Sequence, residues 1–184
     1  MKHIDFDFDG RTYALSFTAE ALFTVYDKFG YTSDILTATK VLEPTLDGWK
    51  NLCWLAALMA AQGELQRRAR GEDARPMLTV EQLRSGFMAA DSNRLRAAVR
   101  AALEQGFERD VPPPDAEQEV NLVLLQREEA EKKNEGGGRS RALYLAASAA
   151  RLHLAPRDAL LLTPGLWSDM MEALRPPQDE EEDA

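Results

Sequence analysis

One cysteine and two histidines leave this chain little with which to hold a transition metal or attack a substrate. Cys53 can form no disulfide within a single chain, which fits a reducing cytoplasm. His3 and His153 lie far apart, and with Cys53 they give no ligand spacing for zinc. Positive charge is scarce: 22 Lys and Arg face 31 Asp and Glu, a net of −9. A nucleic-acid partner needs a concentrated basic face, so none is expected. No apolar run approaches the roughly 20 residues that span a bilayer, and the first residues lack the charged-then-apolar pattern of an export signal. The expectation is a cytoplasmic protein with no membrane partner.

What the chain does have is Leu52-Cys53-Trp54-Leu55-Ala56-Ala57-Leu58-Met59-Ala60-Ala61, an unbroken apolar run without β-branched residues. Such a run favours a helix, and a helix apolar all round must be buried. We read a central helix over 46–69 with Trp54 in its core. Its last turns, Gln66-Arg67-Arg68-Ala69-Arg70, are expected to project into solvent.

Before it, Ile4, Phe6 and Phe8 alternate with aspartates, and Tyr13, Leu15 and Phe17 alternate with Thr12, Ala14 and Ser16. The Asp9-Gly10 pair between them is a strong hairpin signal. The hairpin spans 3–17, with Phe6 facing Tyr13 and Ile4 facing Leu15. Thr18 caps the next helix, whose inner face is Leu22, Val25, Tyr26 and Phe29 and whose end is Gly30. Ser33 or Asp34 caps a short helix through Val41, stopped by Pro44. Thr79 and Gln82 form a capping box, with Leu78 and Leu83 as its staple. A further helix begins at Asp91 or Ser92, buries Leu95, Val99, Ala102 and Leu103, and ends at Gly106.

Asp110 to Asp115, with three prolines, reads as a stiff linker. Glu117 to Lys133 then reads as a solvent-exposed helix with Val120, Val123 and Leu124 on one side, and Gly136-Gly137-Gly138 as a hinge. An alanine-rich helix follows with a stripe of Leu143, Ala146, Ala147, Ala150 and Leu154. Pro156 opens a short segment, and Thr163-Pro164 starts a last helix. The fold class is mostly α: a helical domain around a central buried helix, with an N-terminal β-hairpin and a small C-terminal helical extension. The divisions are 1–108 for the main domain, 109–138 for linker and exposed helix, 139–175 for the extension, and 176–184 for a disordered acidic tail carrying Asp179-Glu180-Glu181-Glu182-Asp183.

Chemical motifs are weak. Asp5-x-Asp7-x-Asp9-Gly10 copies half of a calcium loop, but Ser16 stands where the bidentate Glu belongs. Gly136-Gly137-Gly138-Arg139-Ser140 lacks the Gly-Lys-Ser/Thr ending of a phosphate loop. Thr79 to Ala102 reads as plain core helices rather than a DNA-reading pair. Cys53 in an apolar setting is an inert thiol. We expect no enzyme, no metal and no cofactor. The apolar stripes beyond the proline linker must dock on the main domain or on a partner, core packing being equally open, with Leu160, Leu166, Trp167, Met170, Met171 and Leu174 as candidate partner anchors.

Phe8-Asp9-Gly10-Arg11-Thr12-Tyr13-Ala14-Leu15-Ser16-Phe17-Thr18, running on to Phe29-Gly30, resembles the opening of tail assembly chaperones of long-tailed phages and gene transfer agents. Those proteins carry a "DGK-x-Y-x-L-x-F" hairpin leading into a helix that ends in "FG". Leu78 to Leu83 and Ala101 to Phe107 are similar to later parts of that family, so the likeness covers about residues 4–108. Leu162-Thr163-Pro164-Gly165-Leu166 is similar to the "LTPGE" of the family's extension, except that Leu166 replaces the glutamate of a capping box. The resemblance implies a non-catalytic chaperone that binds the tape measure protein and recruits tail tube subunits. It would self-associate or act alone, and be absent from the mature virion. A helical interaction adaptor outside phage assembly shares the same physical features. The proline spacer and glycine hinge add the expectation that 139–175 moves relative to the main domain.

Overall fold

The computed structural model describes residues 2–86, 91–110 and 138–174. It is mostly α, with one two-stranded antiparallel hairpin. β1 (Ile4–Phe8) pairs with β2 (Arg11–Leu15), and Phe6 faces Tyr13 and Ile4 faces Leu15 as the alternation requires. Asp9 and Gly10 both take positive φ, 50° and 69°, the geometry of the tight turn that suits strand twist. Phe6, Tyr13 and Leu15 are buried while Asp5, Asp7 and Asp9 face water.

α1 (Ala19–Phe29) is capped by Thr18, whose hydroxyl oxygen accepts from the Ala21 amide, and is closed by Gly30 at φ 78°. α2 (Ile35–Thr39) is capped by Asp34 and is shorter than the sequence suggests. Lys40 takes a left-handed conformation that ends it, and Val41 is buried beyond that end. α3 (Leu46–Ala69) is the central helix, with Leu52, Cys53, Leu55, Ala56 and Met59 at zero to negligible exposure. α4 (Val80–Gly86) starts with the expected box: the Gln82 amide donates to Thr79 Oγ1 and the Thr79 amide donates to Gln82 Oε1. α5 (Ser92–Phe107) buries Leu95, Val99, Ala102 and Leu103. The remaining helices are α6 (Gly138–Leu152), α7 (Pro156–Leu161) and α8 (Pro164–Ala173).

The hairpin lies against α3 at very close range. The Ser16 amide donates to the Met59 carbonyl at 3.1 Å, and a Cβ on Gly63 would stand 1.9 Å from the Ala14 carbonyl oxygen. Only a residue without a side chain fits there.

The last three helices belong to the same core. Tyr144, Ala159, Leu162 and Trp167 join the hydrophobic cluster of the hairpin and α1–α5. An aromatic chain runs from Phe23 on α1 to Tyr144 (5.3 Å between centroids) and on to Trp167 (4.9 Å). Backbone accounting ties them further. The Ala19 amide, one of α1's unpaired first-turn donors, donates to the Leu162 carbonyl at 2.8 Å, and Gln66 Nε2 donates to the Leu161 carbonyl at 2.7 Å. A shift of the C-terminal helices as a body would strand these buried groups; the proline spacer and most of the expected glycine hinge lie outside the described residues.

Three other expectations are corrected. Gln66 is buried, because it serves the Leu161 carbonyl, rather than projecting into solvent. Trp54 is half-buried, packed on Phe29 with Lys28 Nζ 3.8 Å from its ring centroid. On α6 the fully buried residues are Tyr144 and Ser148; of the expected stripe Ala147 and Leu154 pack on the core, whereas Leu143 is 48% exposed and Ala146 and Ala150 face water. Tyr144 wins because its ring enters the aromatic chain and its hydroxyl donates to the Ala159 carbonyl. The proline linker, the helix read over 117–133, Gly136-Gly137 and the acidic tail lie outside the described residues.

Two outcomes test this packing. Gly63→Ala forces a carbon against a backbone carbonyl and should cost at least about 1–3 kcal/mol in urea unfolding. Trp167→Ala should cost about 3–5 kcal/mol and shift one cooperative transition of the whole chain. A separate early transition, with the rest unchanged, would show that the C-terminal helices are an independent unit.

Candidate functional site

The six anchors expected near the C-terminus fall into three environments. Trp167 is 4% exposed, and its indole N–H donates to Ser148 Oγ at 2.9 Å, so it is a core residue and not a partner-facing one. Leu160, Leu166, Met170 and Met171 are half-buried and pack on the core with part of their surface open. Leu174 is 55% exposed. The burial of Trp167 follows from its place beside Tyr144, a contact that helical spacing on α8 alone does not reveal.

A further open apolar face is on α3. Most of the helix is enclosed by the hairpin, α1, α4, α5 and α7, but Trp54, Leu58, Ala61 and Leu65 are only partly covered. Spaced by four, three and four residues, they form one row along the helix. Ala61 and Leu65 do not pack against the core cluster, whereas Trp54 and Leu58 do. Lys28 borders this row over Trp54; desolvation holds its amine below the ordinary 10.5, and the charge of Arg84 adds to the effect. Sequence reasoning missed this face because it treated the run as apolar all round. The signal was present: these four positions share one side of the helical wheel, opposite Leu52, Met59 and Gly63.

The flank of α3 beside this row carries a charged knot. Glu64 is 6% exposed and accepts from Arg68 Nε at 2.9 Å, Arg67 Nη1 at 3.4 Å and the Arg75 amide at 2.6 Å. Burial pushes its carboxyl up, but the Arg75 amide, the Arg68 hydrogen bond and the two guanidinium charges outweigh this and hold it below the ordinary 4.5. Arg67 also donates to Glu72 at 2.8 Å.

The candidate chemical residues stay apart. Cys53 is fully buried and its thiol is pushed up to about 11 by desolvation, against the opposing charge of Arg84, so it is no nucleophile at neutral pH. His3 is exposed beside Asp5 at 3.4 Å, and His153 is exposed at the end of α6. Among the described residues no group of three or more His, Cys, Asp or Glu could hold a metal ion. None of the described helices is long and apolar enough to cross a membrane. No family model, curated protein or solved structure matches the chain.

The Glu64 knot has a pH signature. A depressed carboxyl stabilises the fold above its unfolded value near 4.5, and that contribution disappears as pH falls through the lower folded value. Glu64→Gln should therefore be less stable than the parent at pH 7, and the gap should close as the pH drops well below 4.5. A gap that stays constant across that range would mean the carboxylate charge is not what matters.

Proposed function

We propose that the protein is a non-catalytic phage tail assembly chaperone. It holds the tape measure protein in soluble form and helps bring tail tube subunits to it, in the host cytoplasm and outside the finished virion. The observation that carries this reading is the partly open apolar row Trp54-Leu58-Ala61-Leu65 on the central helix, in a chain whose hairpin and following helix resemble that family. A long helical client has apolar stripes of its own, and a helix-on-helix contact of this kind covers them. Leu160, Leu166, Met170, Met171 and Leu174 provide a second open apolar area near the C-terminus, suited to the tail tube subunit.

The test is co-expression of the tape measure protein with the parent chain and with an Ala61→Arg/Leu65→Glu variant. Both substituted side chains lie off the core cluster, so the variant should keep its melting transition. The parent should hold the client in the soluble fraction, and the variant should leave most of it insoluble. If the parent itself leaves the client insoluble, or the variant holds it equally well, the reading fails at that face.

A further inference from the structure

Beside the Glu64 knot lies a cavity of about 220 Å³ between the hairpin, α3 and the segment after it. Its lining includes Arg11, Tyr13, Ala60, Glu64, Arg67 and Arg75. Three arginines against one glutamate make it cationic, in a chain whose net charge is −9. The three are not equivalent. Arg67 is already committed to Glu64 and Glu72. The side chains of Arg11 and Arg75 are exposed and have no hydrogen-bond or ion-pair partner among the described residues.

We infer that this cavity binds a peptide carboxylate, held by the free guanidinium groups of Arg11 and Arg75. A guanidinium presents paired N–H donors that match a carboxylate in a fork geometry. The apolar part of the lining, Tyr13 and Ala60, suits the carbon stem of an Asp or Glu side chain. Glu64 decides between anions. Its carboxylate shares the lining, so a doubly charged phosphate meets more repulsion there than a singly charged carboxylate does. The Arg67 and Arg68 pairs and the Arg75 amide keep Glu64 ionised and fixed, leaving the other two arginines to an incoming ligand. The inference does not depend on the chaperone reading. Two sources offer the same chemistry: the run Asp179 to Asp183 of this chain, and an acidic segment of another protein.

The probe is a synthetic peptide copying residues 176–184, titrated calorimetrically against the full chain at low ionic strength. Three receptors are compared: the parent; a neutralised-tail chain with Asp179→Asn, Glu180→Gln, Glu181→Gln, Glu182→Gln and Asp183→Asn; and that neutralised-tail chain carrying Arg11→Glu/Arg75→Glu. The acidic peptide should bind the neutralised-tail chain, weaken by about tenfold or more with the double arginine substitution, and weaken again with added salt. Tighter binding to the neutralised-tail chain than to the parent assigns the site to the chain's own acidic run. Equal binding assigns it to another protein. Arg11→Gln/Arg75→Gln repeats the comparison with neutral side chains should the charge reversals unfold the protein. Absence of binding to both the parent and the neutralised-tail chain overturns the inference, as does binding unaffected by either arginine pair. Full displacement of the peptide by equimolar inorganic phosphate overturns the assignment to carboxylates.

Discussion

The near-contact between β2 and α3 sets the geometry of everything around it. At Gly63 the helix surface has no side chain, and the Ala14 carbonyl occupies the space that one would fill. This brings the strand close enough for the Ser16 amide to donate to the Met59 carbonyl, so strand and helix are joined by a backbone hydrogen bond as well as by apolar contact. Two strands alone are marginal in water, and here the inner face of Phe6, Tyr13 and Leu15 is closed over by helices. The same approach places Arg11, Thr12 and Tyr13 beside Glu64 and Arg67, so the charged cavity is a product of the packing and not a separate invention.

A second device joins the C-terminal helices to this frame. Short helices leave carbonyls without partners, and α7 ends with Leu161 and Leu162 in that position. Gln66 from α3 serves the first and the Ala19 amide from α1 serves the second. Thr18 completes the group by donating to Gln62 Oε1 at 2.9 Å. Asp169 adds a polar link on the other side, accepting from Arg109 Nε at 2.9 Å and from the Asp110 amide at 2.7 Å. Buried polar groups make these contacts specific, because any other placement of α7 and α8 leaves donors and acceptors unpaired.

What could be read from the sequence follows from the range of the interaction. The hairpin register, the Asp9-Gly10 turn, the caps at Thr18, Thr79 and Thr163, and the limits of α3 depend on residues a few positions apart, and all stand where periodicity and capping chemistry place them. Gln66 and Trp167 were misplaced, and Tyr144 and Ser148 missed, for one shared reason. Each takes its burial from a partner far along the chain, which helical spacing cannot name. The charged cavity was likewise invisible, since Arg11, Glu64 and Arg75 meet only after the hairpin folds onto α3. The half-open row on α3 was legible in principle, but a run of uniformly apolar residues conceals which side faces outward.

The two surfaces of α3 therefore differ in what they can recognise. Trp54, Leu58, Ala61 and Leu65 offer non-directional burial, which tolerates many helical partners and gains from each apolar contact. Ala60 and Glu64 sit one position before Ala61 and Leu65, and Arg67 two beyond Leu65, yet they line a cavity where charge and fork geometry can select. Adjacent residues on a helix are about 100° apart, so one pair of turns presents both kinds of surface without either intruding on the other. An apolar face alone would bind without discrimination, and an arginine pair alone would bind weakly in salt. A segment that engaged both, through an apolar stripe and a neighbouring carboxylate, would gain affinity from the first and orientation from the second, and the rigid backbone of α3 fixes the spacing between them.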